Sequence, residues 1–176
     1  MLMKLRGMQS CPDRHRAGTA LVELVFVVFI LAALVFGLID FCRVISTRQV
    51  MMNLTREGSN LASRQTSLSN TVAALVASAS PLDIGTKGRV IITAVRKINN
   101  VNTITDQLSQ GGITATSRIG TGVNEPATMP ATPTPLPPLN QTIYVTEVFY
   151  SYKPITPIGR MLQLALPSQL YDVAFF

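Results

Sequence analysis

Glu23 is the one charged side chain in a run of 23 residues from Ala17 to Ile39. A carboxylate set among Leu, Val and Phe is costly unless a cation meets it, so its natural chemistry is ion pairing. Gly18 lies five positions earlier, behind a basic leader. A peptidase cutting between Gly18 and Thr19 would free a cationic α-amino group. Glu23 of one subunit then pairs with that amine on the next, which sets the register of a helical stack. A plainer reading also exists. Four residues inside the span, Glu23 reaches the interface and costs less than the roughly 2.5–3.5 kcal/mol given for a charge at the membrane centre. The joint occurrence of glycine, carboxylate and basic leader favours pairing.

Other reactive residues are few. The sole histidine, His15, sits in the leader, so the outer part of the chain has no Ser-His or Cys-His couple and no histidine metal site. Asp83 and Asp106 read as turn residues, not as a metal pair. Gly120-Thr121-Gly122 is a fragment of a phosphate-loop pattern without the strand and helix that would give it meaning. Cys11 and Cys42 flank the apolar run and cannot bridge within one chain across a membrane; Cys42 is expected to pack as a small buried hydrophobe. The expectation is a protein with no catalysis, no metal and no cofactor.

The element that must carry Glu23 is a helix. Twenty-three residues rise about 34 Å, enough to cross a bilayer core of about 30 Å. Asp40, Phe41, Cys42 and Arg43 follow the run where a signal peptide would place small residues for cleavage, so the segment stays attached. Lys4, Arg6, Arg14 and Arg16 against Asp13 hold the N-terminal flank in the cytoplasm. The rest of the chain then faces outward, away from the cytoplasm. The formal charge of +6 is largely topological: without residues 1–18 there remain eleven basic and eight acidic side chains. No basic stripe with interleaved aromatics appears, which argues against nucleic-acid binding.

Beyond the span the pattern predicts a soluble continuation of the helix over residues 41–80. Leu54, Leu61, Leu68 and Leu75 recur every seven residues, with Arg48, Arg56, Glu57, Ser59, Asn60 and Arg64 on other faces. Gly58 marks a place for a kink or break, and Pro81 ends the helix. Residues 81–176 then form a β-rich domain. Arg89–Ile98 and Thr103–Leu108 flank an Asn99-Asn100 turn signal, and Ile143–Tyr152 is apolar on both faces, as a central strand covered by the helix would be. Residues 111–140, with six prolines from Pro126 to Pro138, read as an exposed, partly extended loop. Ile158–Leu166 is a short helix candidate, and Tyr171–Phe176 is suited to docking on the core or a neighbour.

Arg16-Ala17-Gly18 followed by Thr19-Ala20-Leu21-Val22-Glu23 resembles the cleavage region of type IV prepilins and pseudopilins. The run through Phe36-Gly37-Leu38-Ile39-Asp40-Phe41-Cys42-Arg43, then Arg56-Glu57-Gly58-Ser59, is similar to the TadE-like pseudopilins of tight-adherence (Tad) pilus systems. Val148–Pro154 resembles that family's late strand. The likeness covers residues 14–65 closely and 142–157 loosely. Leu24 stands where the major Flp pilins carry tyrosine, and Thr19 replaces the phenylalanine common at the mature start of type IVa pilins. The resemblance implies an α+β, type IV pilin-like fold: a leader over 1–18, a transmembrane helix over 19–40 and a small antiparallel sheet of three or four strands. It also implies a prepilin peptidase, other pilin subunits, an inner-membrane assembly platform with its ATPase, and membrane lipid as partners. The competing class is a permanently anchored single-pass protein whose outer domain binds a partner without polymerising.

Overall fold

A computed structural model describes residues 13–64, 66–129, 141–161 and 168–176. Cys11 and most of the proline-rich stretch lie outside the described residues. Helix α1 (Asp13–Ser63) is followed by α2 (Leu68–Ser78), α3 (Ile84–Lys87), β1 (Gly88–Ile98), β2 (Val101–Gly111), β3 (Thr142–Ser151), α4 (Pro157–Met161) and β4 (Gln169–Phe175). The four strands form one antiparallel sheet in the order β2-β1-β3-β4. This is the α+β arrangement expected from the sequence: a long apolar N-terminal helix followed by an antiparallel sheet.

The expected single helix to residue 80 is two helices. α1 ends at Ser63 and α2 begins at Leu68, where the Ser67 hydroxyl accepts from the Asn70 N–H at 3.3 Å and caps the new helix. Gly58, the expected weak point, lies within intact α1 and serves packing instead. A Cβ there would come within 2.7 Å of Leu75 and 2.8 Å of Thr146. In an unbroken helix Gly58 and Leu75 would be about 25 Å apart. The break lets α2 fold back, so that Leu75 reaches α1 and both helices share one core.

That core lies between the helices and one sheet face. Met51, Leu54 and Ala62 of α1 meet Val72 and Leu75 of α2 and Val90, Ile92, Val148 and Leu170 of the sheet. Ser59, expected on an outer face, is buried and donates to the Ala174 carbonyl of edge strand β4 at 2.9 Å. Thr55, one turn earlier, donates to Asp172 Oδ2 at 2.6 Å. Cys42 is exposed, contrary to expectation. It follows buried Asp40 by two positions, about 200° around the helix, and so points away from the domain.

The hairpin and the central strand form as the sequence predicts. Asn99 and Asn100 take φ of 49° and 67°, the left-handed pair that a two-residue hairpin turn requires, and Ile98 pairs with Val101. β3 runs between β1 and β4. Its Tyr144, Val148 and Tyr150 pack into the helix-side core, while Ile143 and Val145 join Val95 and Ile119 on the opposite face. Tyr171–Phe176, read from sequence as a docking tail, belongs mostly to β4 and pairs with β3 from Val145↔Phe175 to Ser151↔Gln169. Asp83 caps α3 by accepting from the Thr86 N–H at 3.1 Å, whereas Asp106 sits within β2 opposite Ala94, not in a turn.

The loop after β2 is more structured than its composition suggests. Its described part covers the second sheet face with Ile119, which is fully buried, and extends the β2 edge through Asn124 N–H to Ile104 O (2.7 Å) and Ile104 N–H to Glu125 O (3.0 Å). Glu147 of β3 secures it from beneath. This fully buried carboxylate accepts from the Ser117 hydroxyl, the Arg118 N–H (2.9 Å) and the Tyr171 hydroxyl (3.0 Å). The Arg118 guanidinium lies 3.9 Å from the centre of the Tyr171 ring, and that ring stands 4.9 Å from Phe149. Glu147 is thereby a structural carboxylate with three donors satisfied.

Candidate functional site

Two features of α1 stand out against this fold, its uncovered N-terminal half and the joint that attaches it to the domain. From Leu21 to Ile39 every large apolar side chain is exposed, Phe29 by 71% and Phe26 by 64%. Monomeric soluble proteins rarely carry an apolar surface of this extent. The helix is long and apolar enough to cross a membrane, and its most apolar stretch is not buried by the rest of the chain.

Gly18, Thr19 and Glu23 all lie on this uncovered half. A Cβ at Gly18 would meet nothing within 4 Å, so no contact among the described residues calls for glycine there. Glycine inside a helix costs about 1 kcal/mol relative to alanine, and at Gly18 no packing offsets this. Glu23 is exposed among its apolar neighbours. The fold keeps all three on one accessible helical segment.

The joint sits where the apolar run ends. Asp40 is 2% exposed and closes the gap between α1 and the segment after β3. Its carboxylate accepts from the Ile155 N–H (3.2 Å), the Thr156 N–H (3.5 Å) and the Thr156 hydroxyl, and its backbone carbonyl accepts from the Tyr152 hydroxyl (3.1 Å). Burial and the nearby Asp40 carboxylate raise the Tyr152 pKa, which keeps this hydroxyl a donor. Gly159 completes the joint: its N–H donates to Thr156 Oγ1 at 3.0 Å, and a Cβ on it would collide with the Asp40 carboxylate and with Pro154. The Ile158–Leu166 helix candidate overlaps α4; residues 162–167 lie outside the described residues.

Sequence reasoning passed over Asp40, Thr156 and Gly159. The signal present was an acid placed at the very end of an apolar run, a costly place for a carboxylate without partners. Its partners lie more than one hundred residues away, beyond the reach of local pattern.

An α+β domain borne on an uncovered helix of membrane-spanning length defines the class, and the apolar helix points to membrane anchoring. Within that class, residues 18–60, about a quarter of the chain, are similar to the family model described as TadE-like protein. The match begins at Gly18 and includes the uncovered half, Asp40 and Gly58, but not Asp40's partners in the joint. It supports a protein associated with Tad pili, a family that is generally non-catalytic. No curated protein and no solved structure matches the chain.

Proposed function

We propose that this chain is a non-catalytic minor pilin or pseudopilin of a Tad-type pilus. A prepilin peptidase removes residues 1–18, and the mature subunit acts in pilus assembly, surface adhesion or secretion. The observation that carries this reading is the placement of Gly18, Thr19 and Glu23 together on a helical segment that its own domain leaves bare. Such a segment suits two successive environments, the bilayer before assembly and the helices of neighbouring subunits after it.

The thermodynamics of the two states are compatible. Thirteen Leu, Val, Ile or Phe residues between Leu24 and Ile39, at about 0.3–0.6 kcal/mol each, favour the helix in lipid by about 4–8 kcal/mol. Work from a cytoplasmic ATPase acting through an inner-membrane platform overcomes that preference, and helix packing in the filament covers the same apolar surface again. Glu23 pairs with the new α-amino group at Thr19 of an adjacent subunit, and a misregistered subunit leaves a carboxylate unpaired in apolar surroundings. The sheet domain is displayed outward.

The test is Glu23→Ala in cells that make the pilus. The variant is expected to insert into the membrane as the native protein does, and to fall several-fold in filaments sheared from the surface. Equal amounts of variant and native protein in those filaments would reject the pairing role.

A further inference from the structure

A groove of about 650 Å3 opens beside the joint, between α1, the α3 region and the segment after β3. Arg43, Lys87, Lys153 and Arg160 line it, and no carboxylate does. All four are exposed, and among the described residues none has a hydrogen bond or ion pair to its charged group. The closest acids are already engaged. The Asp40 carboxylate is occupied by Ile155 and Thr156, and that of Asp83 by Thr86. Four cations line one groove, and only Arg43 feels a nearby acid, the already hydrogen-bonded Asp40 carboxylate; the excess positive charge makes a site for an anion, and the volume falls within the range of ligand pockets, about 300–1,000 Å3.

The depth of the groove selects the anion. Arg43 follows Ile39, the last residue of the apolar run, by four positions, about 6 Å along the helix axis. Headgroups occupy roughly the 5–8 Å on either side of the hydrocarbon core. The hydrogen bonds from Ile155 and Thr156 to Asp40 hold the Lys153–Arg160 segment at this same level. Ile155, 54% exposed, gives the groove an apolar lip, and Phe41 and Ile45 carry exposed apolar surface along α1 past the end of the charge-free run. We infer that the groove binds the phosphate headgroup of an anionic phospholipid, with the acyl chains directed along the exposed side of α1. An acidic lipid held here orients the sheet domain on the membrane before the subunit is extracted.

The depth assignment rests on the anchored reading of α1; the cation cluster does not. Full-length protein in neutral detergent, titrated with short-chain phosphatidylglycerol or phosphatidylcholine of the same chain length, gives the binding ratio by native mass spectrometry. Phosphatidylglycerol is expected to bind about tenfold more tightly, and the preference to fall to about twofold or less in the K87Q/K153Q/R160Q variant. Equal binding of the two lipids, or a preference that survives the triple substitution, overturns the proposal. If the triple variant does not fold, K153Q and R160Q are tested singly, each expected to lower the ratio about two- to threefold, with K153R retaining it. Glycerol phosphate at about hundredfold excess is expected to leave bound phosphatidylglycerol in place; displacement would make the groove a site for soluble phosphate esters and reject the lipid. A vesicle flotation assay separates the two ideas: failure to float refutes the anchor, and a floating protein without lipid preference refutes the groove.

Discussion

The two halves of α1 are one continuous helix with opposite relations to the rest of the molecule. From Gly18 to Ile39 the domain leaves it bare, and a Cβ added at Gly18 or Gly37 would meet nothing within 4 Å. From Asp40 to Ser63 it is held by a buried carboxylate, by Thr55 and Ser59 on β4, and by a glycine so closely packed that no Cβ fits. The family match spans both halves. Labour is thus divided along one helix: the second half builds the domain, and the first is left exposed by it.

Substitutions can break that contrast. The largest effect is expected from Asp40→Ala, which orphans two N–H groups and a hydroxyl at the joint and should lower domain stability by about 3 kcal/mol. Gly159→Ala should weaken the same joint, and denaturant melts of the full chain in detergent measure both. A paired test comes next. Gly58→Val forces apart Leu75 and Thr146 and should cost about 2–3 kcal/mol, whereas Gly37→Val should leave the domain's unfolding midpoint unchanged. Equal effects at the two glycines would erase the contrast.

A smaller effect sharpens the picture of the far sheet face. Burial, followed by the charge and hydrogen bond of Glu147, pushes the Tyr171 pKa well above the usual tyrosine value. A group whose pKa is raised by folding stabilises the fold in full below its unfolded value, about 10 for tyrosine, and that stability is lost as pH rises toward the folded value. Tyr171→Phe should therefore flatten the part of the alkaline decline in stability above about pH 10 that belongs to this hydroxyl. An unchanged alkaline limb would deny the Glu147–Tyr171 contact its role.

Much of the fold was legible because its signals are local. Apolar length marks the helix, Asn99-Asn100 marks the hairpin, and apolar residues on both faces mark β3 as central. The break between Ser63 and Leu68 escaped because a heptad of leucines continues across it, with only the Ser67 cap to announce a new helix. β4 escaped because Asp172 interrupts its apolar pattern, and that charge is met by Thr55 on a helix 117 positions earlier. The loop after β2 looked solvent-like because its anchor, Glu147, is a carboxylate hidden in a strand. The reading of Gly18, Thr19 and Glu23 rests on spacing along one helix alone, and cleavage and pairing are the experiments that decide it.

The central claim is that the bare half of α1 begins, in the working protein, at Thr19. Intact mass and N-terminal sequencing of the protein from cells that contain the prepilin peptidase test it most directly. The account predicts a chain lacking residues 1–18, with the leader retained when the peptidase is deleted. A chain that keeps its leader in the presence of the peptidase would contradict it and leave a permanently tethered domain.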